Sequence, residues 1–206
     1  MRSPLCYEIP PKEKALYEAV LALVDEGVSL SGLKVSDIAR KAGIGKGTTY
    51  EYVKSKEELI GKALFYGINQ MLGELYLAAE KEDGFYNIIM TIFDWIDLNF
   101  KEKKILYQLA SLDGTECQFP KEIRLFMKEK IHLADYLKER VSEISCKAME
   151  EGLIAAGTNV DLINMMLINS IISYVLYQRI PQLGTGVECG EMRKFLYNSI
   201  LKSFRD

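Results

Sequence analysis

The sequence has little of what metal and thiol chemistry requires. It contains one histidine, His132, and four cysteines, Cys6, Cys117, Cys146 and Cys189, far apart and without a CxxC pair. Zinc sites need clustered ligands, so a structural zinc site is not supported. Four scattered cysteines do not make a disulfide framework either, and reduced thiols in a cytoplasm fit better. Enzyme signatures are also missing: there is no GxSxG elbow, P-loop, Gly-rich dinucleotide fingerprint or HExxH. Asp94 and Asp97 stand three residues apart, but two carboxylates on an amphipathic helix ordinarily mark its solvated face. The expectation is a protein that is not an enzyme and uses no cofactor and no metal.

Long apolar runs are scarce as well. The longest uncharged stretch, Leu162 to Gln178, contains Asn164, Asn169, Ser170, Ser173 and Gln178. A membrane span takes about 20 predominantly apolar residues, so this run reads as a helix buried on two sides. The N-terminal stretch "MRSPLCYEIPPKEK" lacks the apolar segment of a secretory leader and carries Pro4, Pro10 and Pro11. A cytoplasmic protein without a membrane partner is expected. No segment that alternates over a strand's length fails to fit a helix better, and neither an internal repeat nor a low-complexity linker is found.

What the chain does have is helical periodicity. Residues 13–26 place Leu16, Ala19, Val20, Leu23 and Val24 on one stripe that ends at Gly27. Residues 35–42 do the same with Val35, Ile38, Ala39 and Ala42, and a third short helix is predicted over 46–54. Ser55 is placed to cap the next helix, with Glu58 completing a capping box, and that helix continues to about Lys81. Further helices are predicted at 85–101, 104–112, 120–152, 160–180 and 188–204, separated by "DGTECQFP", "GLIAAGTN" and "PQLGTG". The predicted fold is all-α: an N-terminal three-helix domain over 1–56, with its ordered core from about residue 12, joined to a helical bundle over 57–206.

Charge is unevenly distributed. The net charge is −3, which alone argues against nucleic acid. Between residues 34 and 56, however, Lys34, Arg40, Lys41, Lys46, Lys54 and Lys56 face only Asp37 and Glu51, a local charge of +4 that leaves −7 on the rest of the chain. A small cationic footprint on an acidic body is the pattern of a nucleic-acid binder.

The stretch "ARKAGIGKGTTYEYVKSKEEL", residues 39–59, explains the footprint. Two short helices joined by a tight turn make a helix-turn-helix. Gly43 stands where the first helix stops and the backbone turns left-handed, and Ile44 plugs the turn into the small core. Gly45 and Gly47 flank Lys46 and let the second helix approach a surface closely, its N-terminus favouring phosphate. Thr48, Tyr50, Tyr52, Lys54 and Lys56 supply donors for a phosphate backbone.

These residues closely resemble the DNA-binding domain of tetracycline-repressor-type (TetR) transcriptional regulators. That pattern has an Ile-Ala pair, Ala-Gly-Val-Ser, Gly-Thr-Leu-Tyr, an aromatic pair ending in Phe, and Ser-Lys-Glu-x-Leu. Here it reads Ile38-Ala39, Ala42-Gly43-Ile44-Gly45, Gly47-Thr48-Thr49-Tyr50, Tyr52-Val53 and Ser55-Lys56-Glu57-Glu58-Leu59. The resemblance covers roughly residues 12–62. Gly45 stands in place of the usual Ser, Thr49 of Leu and Val53 of Phe, and the last two, four apart, face the small core. The resemblance implies that Lys46, Gly47 and Tyr50 lie at base edges, that Thr48, Tyr52 and Lys56 hold phosphates, and that Ser36 and Gly45 lie near the DNA. Glu51 is expected to point to solvent or to pair with Lys54 or Lys56, with acceptance from a cytosine amine as the alternative.

For the bundle, the resemblance implies a small-molecule cavity. Apolar walls with few polar groups suit that task, and the candidates are Trp95, Asn99, Tyr107, Gln108, Phe126, His132, Asn169 and Ser173. No strong cluster of one charge lies inside it, so a neutral or lipophilic effector is expected. The resemblance also implies a two-fold homodimer built from the last two helices, with Ile168, Ile171, Ile172, Val175, Phe195 and Ile200 at the interface. The function implied is a ligand-responsive regulator, by the family's common mode a repressor, that binds a near-palindromic DNA operator. The alternative is a helical protein-interaction module that uses its helix-turn-helix for other contacts.

Overall fold

In the computed structural model the chain is described over residues 9–102, 132–179 and 186–205, with the side chains of 100–102, 132–137 and 179 excepted. The described residues form eight α-helices and no strand: α1 (Pro11–Asp25), α2 (Val35–Lys41), α3 (Lys46–Tyr52), α4 (Lys56–Ala79), α5 (Phe85–Glu102), α6 (His132–Glu150), α7 (Val160–Arg179) and α8 (Cys189–Lys202). Apart from the start of α6, each coincides with a periodic segment of the sequence to within a few residues. The helix expected over 104–112 and the first part of the one expected over 120–152 lie outside the described residues.

Helix ends follow from local chemistry. Pro11 opens α1, where its missing N–H breaks no hydrogen bond. α1, α2 and α6 end alike, at Gly27, Gly43 and Gly152, all with positive φ. In α2 the Ile44 N–H donates to the Ala39 carbonyl at 2.9 Å and the Gly43 N–H to that of Arg40 at 3.2 Å, the paired bonds of a Schellman cap. A Cβ at Gly43 would meet nothing within 4 Å, so its left-handed backbone (φ +68°), not space, requires glycine there. At α4 the Ser55 hydroxyl accepts from the Glu58 N–H at 3.1 Å. Glu58 reaches back one residue further than a standard capping box, accepting from the Lys54 N–H at 2.7 Å.

The described residues divide into two compact units, one running to Gly73 and the other beginning at Glu74. In the first, α1, α2, α3 and the start of α4 bury Leu16, Val20, Val24, Ile38, Val53, Leu59 and Leu64, each worth about 2 kcal/mol of apolar burial. α1 meets α4 at Gly67, where a Cβ would lie 3.1 Å from a Leu21 methyl. In the second, α5 to α8 surround Phe85, Ile89, Phe93, Ile96, Ile163, Leu167, Tyr174 and Ile200. The N-terminus of α5 is capped from far along the chain: the Glu151 carboxylate accepts from the Phe85 N–H at 2.9 and 3.1 Å.

By length and hydropathy α7 could cross a membrane, but one face of it belongs to the bundle core. Ile163, Leu167, Ser170 and Tyr174 are buried. Asn164, also buried, accepts from the Ser145 hydroxyl at 2.7 Å and donates to that of Ser142 at 2.9 Å, both on α6. The opposite face carries Leu162, Met165, Ile168 and Ile172, all exposed. α7 therefore has two apolar faces, of which the described chain covers one.

Candidate nucleic-acid interface

α3 is held by a face of small and apolar groups and presents the rest. Thr49 and Val53 are buried, as their four-residue spacing predicts. Burying a hydroxyl in place of a leucine side chain requires a partner, which the Gly45 carbonyl supplies at 3.3 Å from Thr49 Oγ1. Thr48 and Tyr52 are half-buried, whereas Gly45, Lys46, Gly47, Glu51 and Lys54 are exposed. Tyr50 is 50% exposed, a large aromatic with nothing covering half of it. A Cβ at Gly47 would find open space, and one at Gly45 would meet only Thr48 Oγ1 at 3.9 Å. No close packing among the described residues calls for glycine at either position.

The cations divide into two groups that the sequence does not distinguish. Arg40 pairs with Asp37 at 3.0 Å and Lys41 with Glu26 at 2.5 Å. Lys56 Nζ donates to the Ser31 carbonyl at 2.8 Å, tying the start of α4 to the loop before α2. Lys34, Lys46 and Lys54 are exposed and form no ion pair among the described residues. The expectation that Glu51 pairs with Lys54 or Lys56 does not match this arrangement. The chain leaves the helix at Val53 (φ −140°, ψ 143°) and takes Lys54 away from it, while Lys56 is engaged elsewhere. Ser36, in the first turn of α2, is exposed.

Lys62, to which the sequence analysis gave no role, locks this arrangement. Its ammonium lies 3.3 Å from Glu13 on α1 and 3.1 Å from Glu58 on α4, and it donates to the Tyr52 carbonyl at the end of α3 at 3.2 Å. Burial pushes the Glu58 carboxyl up, but the Lys54 N–H and the Lys62 ammonium outweigh it and hold it below the usual range. Burial pulls Lys62 down, yet its two carboxylates leave it above its usual value. A depressed carboxyl stabilises the fold above its unfolded pKa, and that contribution disappears as pH falls through the folded value. A raised lysine stabilises below its unfolded pKa and loses that effect as pH rises through the folded one. Lys62→Met is therefore expected to destabilise the first unit by about 1–2 kcal/mol at neutral pH and to weaken its dependence on acid. Thermal melts from pH 7 to pH 3 test both, and a variant as acid-sensitive as the parent would contradict the assignment.

This unit has a known counterpart. Residues 28–63, spanning α2, α3 and the start of α4, match the family model for bacterial regulatory proteins of the tetR family. Over these residues the chain is similar to the tetR family. Members of this family are transcriptional regulators, not enzymes. A search of the curated proteins finds no match. Among solved structures, the likeness in fold extends over nearly the whole chain. The transcriptional regulator FadR from Bacillus subtilis, in complex with stearoyl-CoA, is 20% identical, with 93% of this chain and 96% of that one covered at a TM-score of 0.60. The fatty acid degradation regulator FadR from Bacillus halodurans is 18% identical, with 97% and 99% covered at 0.62. NalD, the secondary repressor of the MexAB-OprM multidrug efflux pump in Pseudomonas aeruginosa, is 18% identical, with 95% and 96% covered at 0.61.

Of the residues expected to line an effector pocket, Trp95, Asn99, Asn169 and Ser173 have described side chains. Trp95 is partly buried against the bundle core. Asn99 is buried, but its amide donates to the Trp95 carbonyl of its own helix at 2.9 Å. Asn169 and Ser173 are exposed on the outer face of α7, which corrects their placement in the interior. Tyr107, Gln108 and Phe126 lie outside the described residues, as does the side chain of His132, the first residue of α6. Of the residues selected for the dimer interface, Ile168 and Ile172 are exposed, and Phe195 is 63% exposed. Ile171 and Val175 pack partly against the core. Ile200 is fully buried within the bundle and is a core residue of the single chain.

Of the two carboxylates expected on a solvated face, Asp94 is exposed, but Asp97 is nearly buried and engaged by three side chains. Asp97 on α5 accepts from the Tyr174 hydroxyl at 2.7 Å, from Gln178 at 2.6 Å and from Arg193 on α8. Arg193 also donates to Tyr174 at 2.8 Å and pairs with Asp94. Burial raises the Tyr174 pKa to about 12; acceptance by Asp97 adds to the rise, and donation from Arg193 and Gln178 opposes it. Asp97 and Arg193 are 96 residues apart, and no local pattern joins them.

Proposed function

We propose that the protein is a homodimeric, effector-responsive transcriptional regulator, acting as a repressor, that binds a near-palindromic operator and leaves it when a lipophilic small molecule occupies the helical bundle. The observation that carries the DNA-binding part is the outer face of α3. Lys46, Gly47 and Tyr50 stand clear of the protein, on a helix fixed from behind by Thr49 and Val53. In this reading Lys46, Gly47 and Tyr50 reach base edges. Thr48, Tyr52 and Lys56 hold phosphates, with Ser36 and Gly45 close to the backbone. The DNA-binding domain is 1–56 and the effector and dimerisation domain 57–206. α4 belongs to both compact units, whose division comes later, at Gly73. A DNA-binding regulator of this kind acts in the cytoplasm, and no membrane partner is invoked.

Dimerisation is supported by the uncovered outer face of α7 with Phe195 of α8. A two-fold dimer presents its recognition helices to successive major grooves about 34–36 Å apart. For the effector, the apolar bundle favours a lipophilic molecule, and the FadR complex with stearoyl-CoA offers a chemical starting point. An effector shifts the equilibrium only if it prefers the conformation that does not bind DNA. A long-chain acyl-CoA and neutral lipophilic compounds should therefore be titrated against operator-bound protein. Release by one class identifies it, and a complex that no compound in either class disturbs would contradict inducibility.

The DNA-contact assignments separate in two variants. Lys56→Ala is expected to weaken binding to every sequence about equally and to reduce the salt slope by about one phosphate. Lys46→Ala is expected to relax preference at one base position, costing about 1–3 kcal/mol there. Titrations at several salt concentrations on specific and random duplexes distinguish them. An unchanged salt slope in Lys56→Ala would mean that Lys56 serves only its bond to Ser31.

A further inference from the structure

One charge on the outer face of α3 does not fit a surface built only to attract phosphate. At 100° per residue, Gly47 lies near the centre of the exposed arc, with Tyr50 on one side and Glu51 on the other. Thr48 and Tyr52 lie at the arc's margins and are half-buried. Glu51 is thus closer to the middle of the presented surface than two of the residues assigned to phosphates. Its carboxylate makes no ion pair or hydrogen bond among the described residues. Several other carboxylates of the same unit are engaged, Asp37 by Arg40, Glu26 by Lys41, and Glu13 and Glu58 by Lys62, but Glu51 is the one on the exposed face of α3.

We infer that Glu51 is a specificity-determining residue of the DNA interface, its carboxylate accepting a hydrogen bond from the N4 amine of a cytosine in the major groove. The inference rests on the DNA-binding function proposed above. A carboxylate carried into the groove loses water and approaches phosphates, and both effects oppose binding unless a donor meets it. In the major groove cytosine presents a donor, guanine two acceptors, thymine an acceptor and a methyl group, and adenine a donor beside the N7 acceptor. Cytosine alone offers a carboxylate a donor with no acceptor on the same base edge. Glu51 therefore discriminates chiefly by exclusion: guanine or thymine at its position sets acceptor against acceptor and leaves the charge unpaired. It lowers affinity for DNA in general and restores it at one base pair.

The test uses the full-length protein and its Glu51→Gln and Glu51→Ala variants, each shown by circular dichroism to be folded. Bound sequences are selected from a random duplex pool, and affinities are measured on the selected site and on random DNA. The parent is expected to select a C·G pair at one position of each half-site, with a five- to hundredfold preference over other pairs there. Glu51→Ala is expected to lose that preference alone and to bind random DNA more tightly than the parent. Glu51→Gln is expected to move the preference toward adenine, because an amide matches the N6 and N7 pair. Tighter binding to all sequences with an unchanged selected motif would reduce Glu51 to general repulsion and overturn the inference. Unchanged affinities and motif would overturn it equally. If the parent selects no motif at all, the DNA-binding proposal itself fails, a result distinct from either.

Discussion

Ile172→Glu is expected to convert the protein to a monomer and to lower operator affinity by roughly a hundredfold or more. Ile172 is 50% exposed on the outer face of α7, in line with Leu162, Met165 and Ile168, with Phe195 exposed on α8. In a two-fold interface formed by this face each substitution occurs twice. An unpaired carboxylate held in such an interface costs about 3–5 kcal/mol, and each 1.4 kcal/mol is about a tenfold change in affinity. Because Ile172 lies outside the bundle core, the monomer is expected to remain folded. Ile171 is a poorer choice, since it packs partly against that core and a charge there would confound dissociation with unfolding. Sedimentation and thermal melts, followed by titration on the operator, read the three quantities separately. A variant that sediments as the parent does would show that the exposed face serves some other contact. A monomer that binds the operator as tightly as the parent would remove the link between dimerisation and recognition.

Arg193→Met is expected to cost the second unit about 3 kcal/mol. The Arg193 and Asp97 side chains are each 18% exposed, so their attraction is only partly screened by water. Removing one partner of a nearly buried pair leaves the other's charge without compensation, a loss of about 3–5 kcal/mol. Here the Tyr174 hydroxyl and the Gln178 amide still donate to Asp97 and keep the loss near the lower end. The same reasoning gives an ordering. Asp97→Asn in the parent leaves Arg193 short of one anion, with Asp94 still beside it, whereas Asp97→Asn added to Arg193→Met removes the stranded charge and should recover part of the stability. Urea unfolding of the two single variants and the double variant closes the cycle. Strict additivity would show that the pair is screened as a surface bridge would be.

The sequence by itself determined the helices, their ends and the character of each face. Apolar spacing near 3.6 residues is a local property, so Leu16, Val20 and Val24, or Thr49 and Val53, could be placed on a buried stripe before any partner was known. Gly27, Gly43 and Gly152 mark helix ends because a left-handed residue is required there whatever the helix packs against. The recognition motif was legible for a related reason: its turn, its glycines and its outward side chains lie within about twenty residues.

The tertiary structure alone decided which charges are engaged and which faces are covered. A count of cations over 34–56 treats Lys41, Lys46 and Lys56 alike. Only the fold brings Glu26 to Lys41 and the Ser31 carbonyl to Lys56, leaving Lys46 exposed. Periodicity gave α7 two apolar faces but not the phase that turns Ile163, Leu167 and Tyr174 inward and leaves Asn169 and Ser173 outside. That phase follows from the side chains of α6 and α8 that pack against it. Lys62 joining three helices, and Arg193 joining Asp97 across 96 residues, have no local signature. A charge pair forms where the packing of apolar faces brings two side chains together, and that packing is a property of the assembled helices, not of either segment.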